Sequence, residues 1–171
     1  MVIQPGIRVG PSRQHLEERT LLTYSRQALN DDIQDVLGGC QAIHEATQAM
    51  IDASESQEAR EMFKMGMMGT SMGLDNFRAY LTAHGLEENP TRRNALVGIA
   101  TDCTAVAKEG DQQRMVSHYL RSIHYALGGY NYYVSATKAL GDEALMEKFA
   151  GDIVNLERGL AGFESFLRQT A

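Results

Sequence analysis

The sequence predicts an all-α protein, an antiparallel four-helix bundle with short extra helices. Three observations lead there. Long stretches carry apolar residues at alternating three- and four-residue spacing, which marks one buried face of a helix. All three prolines, at positions 5, 11 and 90, fall outside those stretches, so nothing breaks them from within. No segment reads convincingly as a strand.

The elements follow in order. Residues 1–26 form an N-terminal arm, with Pro5, Gly6, Gly10 and Pro11 favouring extended chain and residues 12–24 a short helix. The bundle domain occupies 27–171. Its first long helix starts near Asn30, an N-cap followed by Asp31 and Asp32 at the positive end of the helix dipole. It buries Ile33, Val36, Leu37, Cys40, Ile43, Met50 and Ile51 and stops near Ser54.

A second long helix covers 56–84 and presents Phe63, Met67, Thr70, Leu74, Phe77 and Leu81, with Gly85 just past its end. Gly66, Gly69 and Gly73 lie inside it; glycine there is costly unless a neighbour uses the space, so another helix is expected to cross at that level. The stretch GLEENPTRRN is a loop, and a shorter helix follows over 94–108. The last two long helices span 111–140 and 143–168. Between them Gly141 acts as a stop and Asp142 as an N-cap, and so short a connection makes the pair antiparallel. The final helix buries Leu145, Phe149, Ile153, Leu156, Leu160, Phe163 and Leu167, with Glu157 and Glu164 on its flank.

Composition narrows the function. The net charge of −6 leaves no basic footprint for nucleic acid. No apolar run approaches the roughly 18 residues of a membrane span. The start, MVIQPGIRVGPSRQ, lacks the apolar core of a signal peptide. Cys40 and Cys103 sit far apart and outside any CxxC pattern, which fits free thiols in the cytoplasm. Neither a Gly-x-Ser-x-Gly elbow nor a P-loop occurs, and no complete catalytic constellation is present.

The segment HYLRSIHYALGGYNYY, His118 to Tyr133, is the most distinctive. At helical spacing Val116, Tyr119, Ile123, Leu127, Tyr130, Val134 and Thr137 share one face, the bundle core. Tyr119 and Tyr130 then act as core residues whose hydroxyls need partners. His118, Tyr125 and Tyr132 recur every seven residues on another face, beside Gly128 and Gly129, where a one-faced helix would carry charge. These five residues are expected to form an interface in a homo-oligomer, a dimer being the simplest. The other reading is a tyrosine patch covered by the N-terminal arm.

Metal chemistry finds less support. Bundles that hold paired iron or manganese use inward Glu on two helices and Glu-x-x-His on two others, and no Glu-x-x-His occurs. His118 and His124 lie six residues apart, too far around one helix to share an ion. His44, Glu45 and His124 are the remaining metal candidates, His44 reading as a core histidine on the stripe of Leu37, Cys40, Thr47 and Ile51. Met62, Met65, Met67, Met68 and Met72 are soft enough for Cu(I), yet core or interface packing accounts for them more simply.

The C-terminal half, with Ile123-His124-Tyr125-Ala126, then Tyr130, then Leu140-Gly141 before the last helix, resembles the YciF-type branch of the ferritin-like superfamily. That branch reads Glu-His-Tyr-Glu in the first of these positions. The resemblance implies a ferritin-like fold, a bacterial source, a link to stress responses and a dimer. Both motif carboxylates fall on Ile123 and Ala126, so it carries no metal ligand to this chain. The expected function is therefore non-catalytic, by binding or assembly, without a cofactor. Two alternatives stay open: a metal-binding or redox bundle with a non-standard site at His44, Glu45 and His124, and a bundle holding a small apolar ligand in a cavity lined by Tyr119 and Tyr130.

Overall fold

In the computed structural model, residues 23–91 and 94–170 are described. The chain forms α1 (Arg26–Ala53), α2 (Gln57–Ala83), α3 (Ala95–Glu109), α4 (Gln112–Ala139) and α5 (Glu143–Thr170). The short helix expected over 12–24 lies almost wholly outside the described residues.

The ends follow local chemistry. Ser25, not Asn30, caps α1: its Oγ accepts from the Ala28 amide at 3.1 Å. Asn30 instead lies inside the helix, where its Oδ1 accepts the Tyr80 hydroxyl, so a tertiary bond overrides its capping preference. Ser56, Asn94, Asp111 and Asp142 cap the other helices through side-chain oxygens. Gly85 and Gly141 take the left-handed conformation that ends α2 and α4, with φ of 65° and 74°.

The α1–α2 and α4–α5 connections are short, so each pair is an antiparallel hairpin. The hairpins meet along two seams. At the α1–α4 seam, α3 packs on both helices. Gly38 and Gly39 make room for this. A Cβ on Gly38 would lie 1.9 Å from the Thr91 carbonyl oxygen, and one on Gly39 would lie 2.7 Å from the Leu96 Cβ. Gln34 holds the arriving loop, donating to the Glu87 carbonyl at 2.7 Å and accepting from the Asn89 amide at 2.8 Å. At the other seam α2 and α5 touch far less than the members of either hairpin do, and no further helix covers them among the described residues.

Two aromatic layers fill the core. Phe63, Tyr119 and Phe163 form one, with Tyr119 and Phe163 at 4.9 Å between ring centres. Phe77, Tyr130, Tyr133 and Phe149 form the other, with Tyr133 and Phe149 at 5.3 Å. Leu127, Val134, Ile153 and Leu160, expected in the core, are only partly buried. Met115, Tyr133 and Phe166 are buried in addition.

The glycines of α2 play a different part from the one expected. Among the described residues, the atoms nearest an added Cβ there belong to side chains, not to a crossing helix backbone. A Cβ on Gly66 would meet the Tyr119 hydroxyl at 2.3 Å, and one on Gly73 the Tyr130 hydroxyl at 2.6 Å, so two tyrosines of α4 use the space. Gly69 has nothing within 4 Å.

A candidate ligand site between α2, α4 and α5

Between the aromatic layers, along the uncovered seam, lies a cleft of about 400 Å³. That is within the range of small-molecule sites, roughly 300–1,000 Å³. Glycine shapes both walls: Gly66, Gly69 and Gly73 on α2 face Gly159 and Gly162 on α5. Open space beyond Gly69, Gly159 and Gly162 shows where side chains are missing. Ile43, Leu96, Ile123, Leu156 and Phe163 supply apolar lining.

Methionine forms the rim. Met65, Met68 and Met72, spaced three and four residues apart, line the cleft while remaining 64%, 67% and 52% exposed. Of the methionines in this run, only Met62 is fully buried and Met67 is half-buried. Core packing therefore explains Met62 but not the three at the rim. Flexible thioethers suit a surface that adapts to an apolar guest.

The polar groups of the cleft are few. Asp152 is 7% exposed and accepts from Asn76 Nδ2 at 2.9 and 2.8 Å on its two oxygens, and from the Tyr130 hydroxyl. Burial raises its pKa above the ordinary carboxylate value, while the Asn76 and Tyr130 bonds act in the opposite direction. Burial likewise pushes the Cys40 thiol in the wall up to about 12, and the Asp152 charge adds to this. Cys40 is a neutral thiol here, not an activated nucleophile. Tyr119 is held neutral by burial, with a pKa of about 12, and its hydroxyl lies beside the Thr70 and Thr47 side chains, whose own hydroxyls donate to the Gly66 and Ile43 carbonyls. Arg158 stands exposed at the mouth.

The sequence-derived metal candidates do not gather. Glu45 and His124 are exposed. His44 is half-buried, not central, with its Nδ1 3.4 Å from Ser71 Oγ. Among the described residues no group of three or more His, Cys, Asp or Glu is placed to hold a metal ion. The proposed interface set also divides. Tyr132 is half-buried, its ring 5.9 Å from Tyr24 and 5.7 Å from Tyr133. His118 is half-buried with Nδ1 enclosed and unbonded, and Gly129 is half-buried near the Tyr133 ring. Tyr125, at 42%, and Gly128 remain exposed.

Asp152 and Asn76 are the site residues that periodicity overlooked. The last helix was read with Leu, Phe and Ile as its inward residues, but Phe149, Asp152 and Leu156 are themselves in three-and-four spacing, and Asp152 is buried where Ile153 was expected. An acidic residue scores as surface in any hydropathy pattern. Only its partners on other helices explain its position.

Such an arrangement, two helical hairpins with a short bridging helix, is an all-α ferritin-like bundle. The family model described as "Domain of unknown function (DUF892)" matches residues 25–154, and the chain belongs to that family. The Escherichia coli stress protein YciF is similar in structure, with a TM-score of 0.75 at 10% identity, over 82% of this chain and 92% of that one. YcfI of Rhodopseudomonas palustris, a protein proposed to be structural, has a TM-score of 0.73 at 14% identity, over 86% of this chain and 96% of that one. At such identities the likeness establishes the fold. No curated protein sequence matches the chain.

Proposed function

We propose that this protein works by binding rather than by catalysis, and that it holds a small, mainly apolar molecule in the cleft between α2, α4 and α5. The observation that carries this reading is the cleft itself: about 400 Å³ of space, walled by glycine, rimmed by exposed methionine, and floored by a few hydrogen-bonded polar groups. The neutral state of Cys40 favours binding over covalent chemistry. Native mass spectrometry of the purified protein tests it. A co-purified mass that leaves on denaturation is expected; a bare chain that also takes up no apolar additive contradicts it.

Likeness to YciF, a stress protein, supports a role in a bacterial stress response. Free Cys40 and Cys103 support a cytoplasmic setting, and no helix among the described residues is long and apolar enough to cross a membrane. A second reading adds assembly. Tyr125 is a large exposed aromatic beside open Gly128, which favours a homodimer contact on that face of α4. Light scattering at micromolar concentration distinguishes dimer from monomer.

A further inference from the structure

Asp152 is a carboxylate in a mainly apolar cleft, and no cation contacts it among the described residues. Its bonds are to neutral groups, the Asn76 amide and the Tyr130 hydroxyl. A carboxylate offers about four acceptor positions, so these partners leave capacity unused. Burying such a charge without a cation is costly, and the cost falls when a cation arrives with it. Arg158 lines the same cleft but is exposed and makes no such pair. Charge complementarity therefore specifies one end of the guest, and the methionine rim specifies the rest.

We propose that the cleft takes a single-tailed amphiphilic amine, whose protonated nitrogen pairs with Asp152 and whose apolar tail lies between the glycine walls against Met65, Met68 and Met72. This assignment rests on the reading of the cleft as an apolar ligand site. An ammonium donates to carboxylate oxygens in charge-assisted bonds, which are stronger than those of a neutral hydroxyl. The cleft excludes much of the water that would screen them. Burial also raises the pKa of Asp152, the strain expected of a carboxylate waiting for a cation.

Three probes with the same tail separate the chemistry: decylamine, 1-decanol and decanoate, each titrated calorimetrically below its micelle concentration or, for the alcohol, its solubility limit, into wild-type protein, Asp152→Asn and Arg158→Gln. Decylamine should bind the wild type about tenfold more tightly than 1-decanol, with decanoate weakest. In Asp152→Asn that advantage should vanish while 1-decanol affinity holds within about threefold. If Asp152→Asn does not fold, the wild-type ranking decides alone. Equal affinity for amine and alcohol overturns the proposal but leaves the apolar-ligand reading intact. So does a preference for decanoate that Arg158→Gln abolishes, which would move the anchor to the mouth. Failure of all three probes to bind refutes the underlying reading as well.

Discussion

Replacing Gly69 by Ala and, separately, Gly66 by Ala should move stability in opposite directions. Both glycines lie in α2, less than one turn apart, and both have helical conformations. For Gly69 nothing lies within 4 Å of an added Cβ, so the substitution gains helix propensity alone, about 0.8–1.0 kcal/mol. In a chain of this size that raises Tm by about 2–4 °C. For Gly66 the Cβ would lie 2.3 Å from the Tyr119 hydroxyl oxygen and 2.8 Å from the ring carbon that bears it. Tyr119 is 2% exposed and its ring packs on Phe63 and Phe163, so it has little room to retreat. Overpacking costs about 1–3 kcal/mol, disturbing the hydroxyl's polar contact with Thr70 and Thr47 about 1 more, and the helix gain offsets about 1. The net is a loss of about 1–3 kcal/mol, or several degrees. Thermal and urea melts followed by circular dichroism provide the comparison. A Gly66→Ala protein as stable as Gly69→Ala would refute the lodging of Tyr119 against α2. A destabilised Gly69→Ala would refute the open wall.

Asp152 affects the pH dependence of stability. Its folded pKa is raised, so the stability linked to it is fully present below the ordinary value of 3.8 and is lost as pH rises through the folded pKa. The Tm of Asp152→Asn minus that of wild type should therefore increase as pH rises above 3.8; a flat difference would show no shift on folding, a falling one a carboxylate stabilised by its surroundings, and either contradicts this reading. Cys40 and Cys103, both with pKa values of about 12, should resist iodoacetamide in the folded protein at neutral pH, since only about 10⁻⁵ of such thiols is ionised; peptide mass spectrometry showing rapid labelling of either would contradict this. Tyr125→Glu combined with Gly128→Glu should convert the proposed dimer to monomer without loss of helix content, by light scattering and circular dichroism. A wild type that is already monomeric at micromolar concentration would end the interface proposal.

Most of the fold was legible because helices announce themselves locally. Three-and-four spacing marked the four long helices, and Ser56, Gly85, Gly141 and Asp142 fixed ends within a residue or two. The cap of α1 lies five residues before Asn30, at Ser25, because the Tyr80 hydroxyl that claims the Asn30 side chain comes from another helix and no local pattern reveals it. The site was legible only in part. Tyr119 and Tyr130 read from sequence as core residues, and as cavity lining only in one alternative; both are buried and both line the cleft. The three rim methionines could not be told from core methionines by type. Their exposure depends on the α2–α5 seam having no counterpart to α3, which is a tertiary fact. Gly38 and Gly39 carried a signal that went unread: a glycine pair inside a strongly helical stretch, where the loop before α3 and its first turn press on α1.

The central claim is that the space between α2 and α5 is a binding site, and calorimetric titration of 1-decanol into wild type and Gly69→Leu in parallel tests it most directly. A leucine at Gly69 adds a side chain to open space on the cleft wall and improves helix propensity, so the variant should fold at least as stably as wild type. The account predicts saturable binding of 1-decanol by the wild type, near one molecule per chain, and its loss in Gly69→Leu. Equal binding by the two proteins, or none by the wild type, would contradict it.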